Sequence, residues 1–336
     1  MGGLAIPNAQ RMSKEHYLEV CDDLSQTFKY VSKSSQVTGW ANGDFYIVPA
    51  YEDKDSFGDI DIVIGITKEF DRKQFEKYVI GTCFKVTNGP VTSFEWEGHQ
   101  VDLIYHSMED YYFACNYYSY NDISNLIGRI THKMGFKFGH DGLWYIMRDG
   151  DYVIQDICIT KDFKTALSLF NFDYERFSKG FKNLEEIFEY IVSNPYFNPD
   201  IYLLENRNHT ARVRDRKRKT YMAFLDYCAN NDFKNKYTFQ EDKEIYLDMI
   251  CSKFPRFRAE LALAKNINNT RKMAKSKLTT EIIKDHTGLK DKELGDYIKA
   301  TVQRYNNTYD WWVIINSLTV DQILELMDFN YKETKQ

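Results

Sequence analysis

The run Ser56-Phe57-Gly58-Asp59-Ile60-Asp61-Ile62-Val63 decides how the rest of the chain is read. In an extended strand, residues i and i+2 face the same way. Asp59 and Asp61 therefore share one face, while Ile60, Ile62 and Ile64 take the other, towards a core. Two carboxylates held side by side repel, and the arrangement is costly unless a cation lies between them. Mg²⁺ takes hard oxygen ligands of this kind, often one or two carboxylates together with substrate phosphates. A third carboxylate follows in His99-Gln100-Val101-Asp102-Leu103-Ile104-Tyr105. The apolar neighbours Val101 and Leu103 turn Asp102 to the opposite face, towards Asp59 and Asp61 if the two strands are adjacent. Three carboxylates at a sheet edge suit two-metal phosphoryl transfer, in which the ions lie roughly 3.5–4 Å apart.

Periodicity supplies the surroundings. Tyr17, Val20, Cys21, Leu24, Phe28 and Val31 recur at helical spacing and predict a helix over 14–34. Strands are expected at 44–50, 59–66, 83–87, 91–96 and 99–106, with Asn88-Gly89-Pro90 and Glu97-Gly98 as turns. A short helix is expected over 70–79. Another, over 122–135, buries Ile123, Leu126, Ile127, Ile130 and Met134 and turns Arg129 and Lys133 to its polar face. From about residue 160 the pattern is mostly helical. The fold class is α+β, divided here into a catalytic domain over 1–155, a helical nucleic-acid-binding region over 156–250 and a helical tail over 251–336. Ser193 to Pro199 reads as a connection between subdomains.

The carboxylate pattern carries a family resemblance. SFGDIDIV followed by VDLIY resembles the DNA polymerase β nucleotidyltransferase superfamily, which includes family X polymerases and CCA-adding enzymes, and the chain is most similar to a viral or phage-type member. The resemblance covers about residues 38–145. It implies a nucleotidyltransferase palm, a short mixed sheet with flanking helices. It also implies that Asp59, Asp61 and Asp102 are catalytic and hold Mg²⁺, with Mn²⁺ as the alternative. The family's Gly-Ser turn is absent. The nearest glycine turn, Thr38-Gly39-Trp40-Ala41-Asn42-Gly43, places Gly39 20 residues before Asp59. Gly39, Ser56 and Gly58 are the candidates for the phosphate cradle. The segment after the third Asp is similar to the family's sugar- and base-contacting region. It offers Tyr118, Asn121, Asn125, Arg129 and Lys133 as nucleotide-binding residues, although Tyr118-Ser119 lacks the family's turn glycine.

Charge then points to an acceptor. Residues 1–168 carry 16 Lys and Arg against 24 Asp and Glu, and residues 169–336 carry 28 against 25. An acidic front and a basic back suit metal binding at one end and a polyanion at the other. Seven of 13 residues from Arg207 to Lys219 are basic: Arg207, Arg212, Arg214, Arg216, Lys217, Arg218 and Lys219. If helical, this run puts Arg214 and Arg218 on one face, for contact with nucleic-acid phosphates. Lys265 to Lys277 reads as an exposed basic linker. Gly288-Leu289-Lys290 to Ile298 is similar to a tail segment of CCA-adding and poly(A) polymerase-like enzymes, and Thr319-Val320-Asp321-Gln322 reads as a capping box. The expected activity is NMP transfer from an NTP to a nucleic-acid 3′-hydroxyl, with RNA, tRNA included, favoured. A dNTP-using DNA polymerase and a transferase acting on a small molecule or protein remain as alternatives. No apolar run suits a membrane span, the N-terminus is too polar for a secretory signal, and six isolated cysteines fit a reducing compartment. A cytoplasmic enzyme without membrane partners is expected.

Overall fold

The computed structural model describes residues 5–33, 37–40, 44–233, 236–305 and 308–335. Residues 41–43 of the expected glycine turn, Gly43 among them, lie outside the described residues. The chain begins with β1 (Met12–Ser13), α1 (Lys14–Lys33), β2 (Phe45–Ile47), β3 (Ser56–Phe57), β4 (Asp59–Ile66) and α2 (Arg72–Val79). It continues through β5 (Lys85–Asn88), β6 (Val91–Trp96), β7 (His99–Ser107), α3 (Met108–Tyr118) and α4 (Ile123–Lys133). A three-stranded sheet follows from β8 (Phe136–Gly139), β9 (Gly142–Asp149) and β10 (Tyr152–Thr160). The rest is helical: α5 (Phe163–Leu169), α6 (Tyr174–Ser178), α7 (Leu184–Val192), two 3-10 turns, α8 (His209–Arg216), α9 (Lys219–Asn230), α10 (Glu244–Lys253) and α11 (Pro255–Lys277). The last elements are α12 (Thr280–Thr287), α13 (Asp291–Val302), α14 (Thr308–Ser317) and α15 (Val320–Lys335). The fold is thus α+β, with a mixed five-stranded sheet and a helical C-terminal region. Among the described residues, no helix is long and apolar enough to cross a membrane.

The five-stranded sheet has the order β2-β4-β7-β6-β5. Its two central strands, β4 and β7, run parallel, and the other pairs are antiparallel. A parallel pair needs a crossover, and here α2 with the β5–β6 hairpin supplies it. The alternation in β4 buries Ile60, Ile62 and Ile64 completely. They pack with the α1 stripe of Tyr17, Val20, Leu24, Phe28 and Val31, and with Phe75 of α2. Each such aliphatic side chain contributes about 1.5–3 kcal/mol on leaving water. One face of the sheet is therefore fixed by its apolar residues, and the other is left for Asp59 and Asp61.

The described residues form two compact units, one of 1–146 with 158–250, the other of 147–157 with 251–336. The sheet, the helices α5 to α9 and α10 as far as Ile250 belong to the first unit. Ser193 to Pro199, expected as a connection between subdomains, is a turn inside it, where Asn194 is buried and its amide donates to the Phe170 carbonyl. The second unit has its own core of Ala274, Ile283, Tyr297, Trp311, Ile315, Ile323 and Met327. Lys265 to Lys277, expected as a linker, is the second half of the 23-residue helix α11. Within that run only Asn268 and Ala274 are buried, while Phe257, Leu261 and Ala264 of the first half carry the rest of the buried side, so the run's composition alone resembles a loop. Gly288 ends α12 in the left-handed conformation, and the Thr319–Gln322 capping box forms in both directions.

Candidate metal and phosphate site

Strand pairing brings the three carboxylates together. In the β4–β7 ladder, Asp61 lies opposite Asp102 and Asp59 opposite Gln100. A carboxylate oxygen from each of Asp59, Asp61 and Asp102 lies within 4.8 Å of the others. These are hard, anionic donors on rigid central strands, a set that could hold a divalent cation. Asp102 is fully buried, while Asp59 and Asp61 are partly open. Burial pushes the Asp61 carboxyl up to about 6, and the neighbouring carboxylates of Asp59 and Asp102 add to the shift. The site thus carries a strong like-charge and desolvation cost that a cation would relieve.

Gln100 fixes the buried member of the trio. Its side-chain amide donates to Asp102 Oδ1 at 3.0 Å, and its Oε1 accepts from the Ile6 backbone at 3.1 Å. The strand period already placed Gln100 and Asp102 on one face, but only tertiary structure shows Ile6 closing the chain of bonds.

Asp59 and Asp61 open into a cavity of about 480 Å³, and the fully buried Asp102 does not line it. Asp59, Asp61, Tyr118, Asn121, Asn125, Arg214 and Arg218 all line it, from segments up to 159 positions apart. Lys54 and His140 line it as well, and of the two only Lys54 carried no sequence signal. Lys54 reaches in from the loop before β3, over the Phe57 ring, and burial lowers its pKa while Asp59 and Asp61 oppose that fall. His140 presents an imidazole nearly parallel to the Tyr118 ring, their centres 6.1 Å apart. Behind it, His106 meets His140 edge-on, and burial holds His106 down to about 4. His106 is therefore neutral near pH 7 and acts as a fixed wall.

The turn between α3 and α4 aims Asn121 at the cavity. Tyr120 and Asn121 both adopt positive φ, 59° and 63°, the region that side-chain-bearing residues rarely enter. The conformation is held by Tyr120 N–H to the Pro49 carbonyl, and by its ring against Phe177 and Phe181. Asp122, at the start of α4, pairs with Arg218.

Several expected residues sit elsewhere. Gly39 has φ 77°, and a Cβ there would meet the Phe70 nitrogen at 2.3 Å. It closes a turn against the Phe70 backbone and does not line the cavity. Ser56 is exposed and receives Arg11 on both its hydroxyl and its carbonyl. Gly58 faces the same Arg11 side chain. Neither Ser56 nor Gly58 lines the cavity. Arg129, expected on a polar face, is buried and donates through Nε and Nη2 to the Ile201 carbonyl. The helix stripe could not reveal this, because a residue adjacent to the apolar stripe can be covered by a later segment.

The basic run divides by role. α8 ends at Arg216, Lys217 caps it, and Arg218 is extended at the entrance to α9. Arg214 and Arg218 therefore do not share a helix face, as one continuous helix would require, although both reach the cavity. Arg207 and Arg214 flank Asp215, which is fully buried, at 2.7 and 3.1 Å. Arg212 is partly exposed, and Arg216, Lys217 and Lys219 are exposed; none of the four lines the cavity. Lys133 lies with Arg129 and Arg207 on a neighbouring cavity.

Compared with known proteins, the chain matches no family model and no curated protein.

Proposed function

We propose that the chain is a metal-dependent nucleotidyltransferase, moving NMP from an NTP to a 3′-hydroxyl of nucleic acid, with RNA the favoured acceptor. The observation that carries this reading is the meeting of Asp59, Asp61 and Asp102 on two parallel strands, beside a cavity that Lys54, Arg214 and Arg218 also line. The three carboxylates would hold Mg²⁺, or Mn²⁺ in its place. When bound, the cation neutralises phosphate charge and acidifies an attacking hydroxyl.

The chain's own side chains do the rest. Gln100 holds the Asp102 carboxylate in one orientation. Lys54, Arg214 and Arg218 put positive charge where a triphosphate would lie beside the carboxylates. The Tyr118–His140 pair offers a flat wall on which a base can stack. Asn121 and Asn125 present amides able to hydrogen-bond sugar or base edges.

The test is a transfer assay with Mg²⁺, each labelled NTP or dNTP in turn, and separate pools of tRNA, single-stranded RNA and primed DNA. Wild type runs beside Asp59→Ala and Asp102→Ala. Label entering RNA with wild type alone is the expected result. Label entering only primed DNA from dNTPs would replace the acceptor with DNA. Equal labelling by wild type and both variants would remove the carboxylates from the reaction.

A further inference from the structure

A second cavity, of about 580 Å³, adjoins the first and shares Tyr117, Ser124, Asn125 and Arg214 with it. Its chemistry is the reverse. The wall carries Arg129, Lys133, Arg207, Arg214 and Lys243, and among the described residues no Asp or Glu lines it. The compensation for these five cations is thin. Asp215, buried behind the wall, answers Arg207 and Arg214. Arg129 is tied to a neutral carbonyl, that of Ile201, and Lys243 to that of Gln240. Burial lowers the Arg129 pKa, and Arg207 adds to the shift by like-charge repulsion. Cations collected this way around a cavity favour an anion inside it.

A separate observation points the same way. Among the described residues, the Ser124 hydroxyl, on a residue only 2% exposed, has no hydrogen-bond partner, and neither has the buried Asn125 side-chain nitrogen. A buried polar group left unmet is costly. Both stand on the wall common to the two cavities, where a ligand passing from one to the other would meet them. Asn208, which caps α8 by accepting from the Ala211 N–H, also lines the second cavity.

We propose that this second cavity binds the backbone phosphates of a single nucleic-acid strand, with the 3′ end of that strand directed to the carboxylates next door. This rests on the transfer reading for the strand's direction, but not for phosphate binding itself. A nucleotide triphosphate is the weaker occupant. Its charge is best met beside the carboxylates, where a divalent cation can bridge, and this cavity offers no carboxylate to hold one. Phosphodiesters need only the cations.

The probe is a fluorescein-labelled single-stranded RNA hexamer, followed by anisotropy in EDTA at several KCl concentrations. Wild type is expected to bind it equally well in EDTA and in Mg²⁺, since no metal is required. The Lys133→Ala/Lys243→Ala double variant is expected to bind about tenfold or more weakly, and its log–log salt slope to fall by about one to two. Both lysines lie off the apolar core, and a circular dichroism spectrum of the variant matched to wild type checks that it is folded. Tripolyphosphate at equal phosphate concentration should compete no better than its charge predicts. Unchanged affinity in the double variant would overturn the proposal. Stoichiometric displacement of the hexamer by tripolyphosphate would reassign the cavity to the nucleotide. Carboxylate-dependent transfer without hexamer binding would refute the subsite and leave the transferase reading standing. Hexamer binding lost in the double variant, with no transfer to any acceptor, would do the reverse.

Discussion

At the scale of single residues, Asp61 sets the behaviour of the metal-free protein. Its carboxyl titrates at about 6 in the folded chain, chiefly through burial, against 3.8 as the ordinary value. Between these values the folded state keeps a proton that the unfolded state has released, so stability falls as pH rises through that window. In EDTA, wild type should therefore lose stability from pH 4 to pH 7 relative to Asp61→Asn, and the variant should be the more stable near pH 7. Mg²⁺ or Mn²⁺ should recover the loss in wild type alone. Parallel urea-melt profiles for the two proteins across that range would show that Asp61 carries no such burden. Gln100 makes a second residue-level case. Gln100→Leu removes the donor to Asp102 and should weaken Mn²⁺ binding by about 10- to 100-fold, as loss of a ligand's supporting hydrogen bond does elsewhere. A calorimetric titration that matches wild type would mean that Asp102 is oriented without it. The carboxylates themselves were legible in the sequence because a strand's period of two is unambiguous when Ile and Asp alternate. Lys54 and Gln100 were not, since their roles depend on where Phe57 and Ile6 come to lie.

At the scale of elements, legibility followed local pattern and failed where a later segment intervened. α1, β4, β6, β7 and α4 fall within a few residues of their expected bounds, each having a dense apolar stripe. The β9–β10 hairpin was missed, although Asp149-Gly150 is a strong hairpin turn signal and Gly150 has φ 58°. Its strands are half-exposed and mixed in polarity, so alternation is faint. The basic run from Arg207 to Lys219 was read as a helix with Arg214 and Arg218 on one face for phosphate contact. It is instead a helix end, a cap and a new helix entrance, with a buried aspartate at its centre. Removing one partner of a buried ion pair costs about 3–5 kcal/mol, because the other charge stays behind. Asp215→Ala should therefore lower stability by that amount, while Arg216→Ala, on an exposed position, should change it by less than about 0.5 kcal/mol. Equal, small effects in thermal melts would show that Asp215 does not organise this corner. Gly39→Ala should also destabilise, by about 2 kcal/mol or more, through its positive φ and the Phe70 backbone in the path of a Cβ. Metal affinity should be unchanged, because the turn lies off the cavity.

At the scale of the whole molecule, the apolar residues are gathered into cores that keep to their own unit. The sheet core of Leu24, Phe28, Ile60, Ile62 and Phe75 lies wholly in the first unit. The core of Tyr297, Trp311, Ile323 and Met327 lies wholly in the second, which is closed by helices from the last 86 residues and by the tip of the β9–β10 hairpin. The chain therefore crosses between the units at both ends of residues 147–157 and once more near residue 250, an arrangement that a division in simple chain order hides. Units with separate cores can melt separately. A cavity made in one core should then act on one transition. Met327 is fully buried, and Met327→Ala should cost about 2–5 kcal/mol. In differential scanning calorimetry of the full chain, this variant should lower one transition and leave the other in place. The undisturbed transition should be the one that rises on adding Mn²⁺, since Asp59, Asp61 and Asp102 all belong to the first unit and a ligand stabilises the unit that binds it. A single transition that shifts as a whole, with Met327→Ala and with Mn²⁺ alike, would mean that the two units fold as one cooperative body.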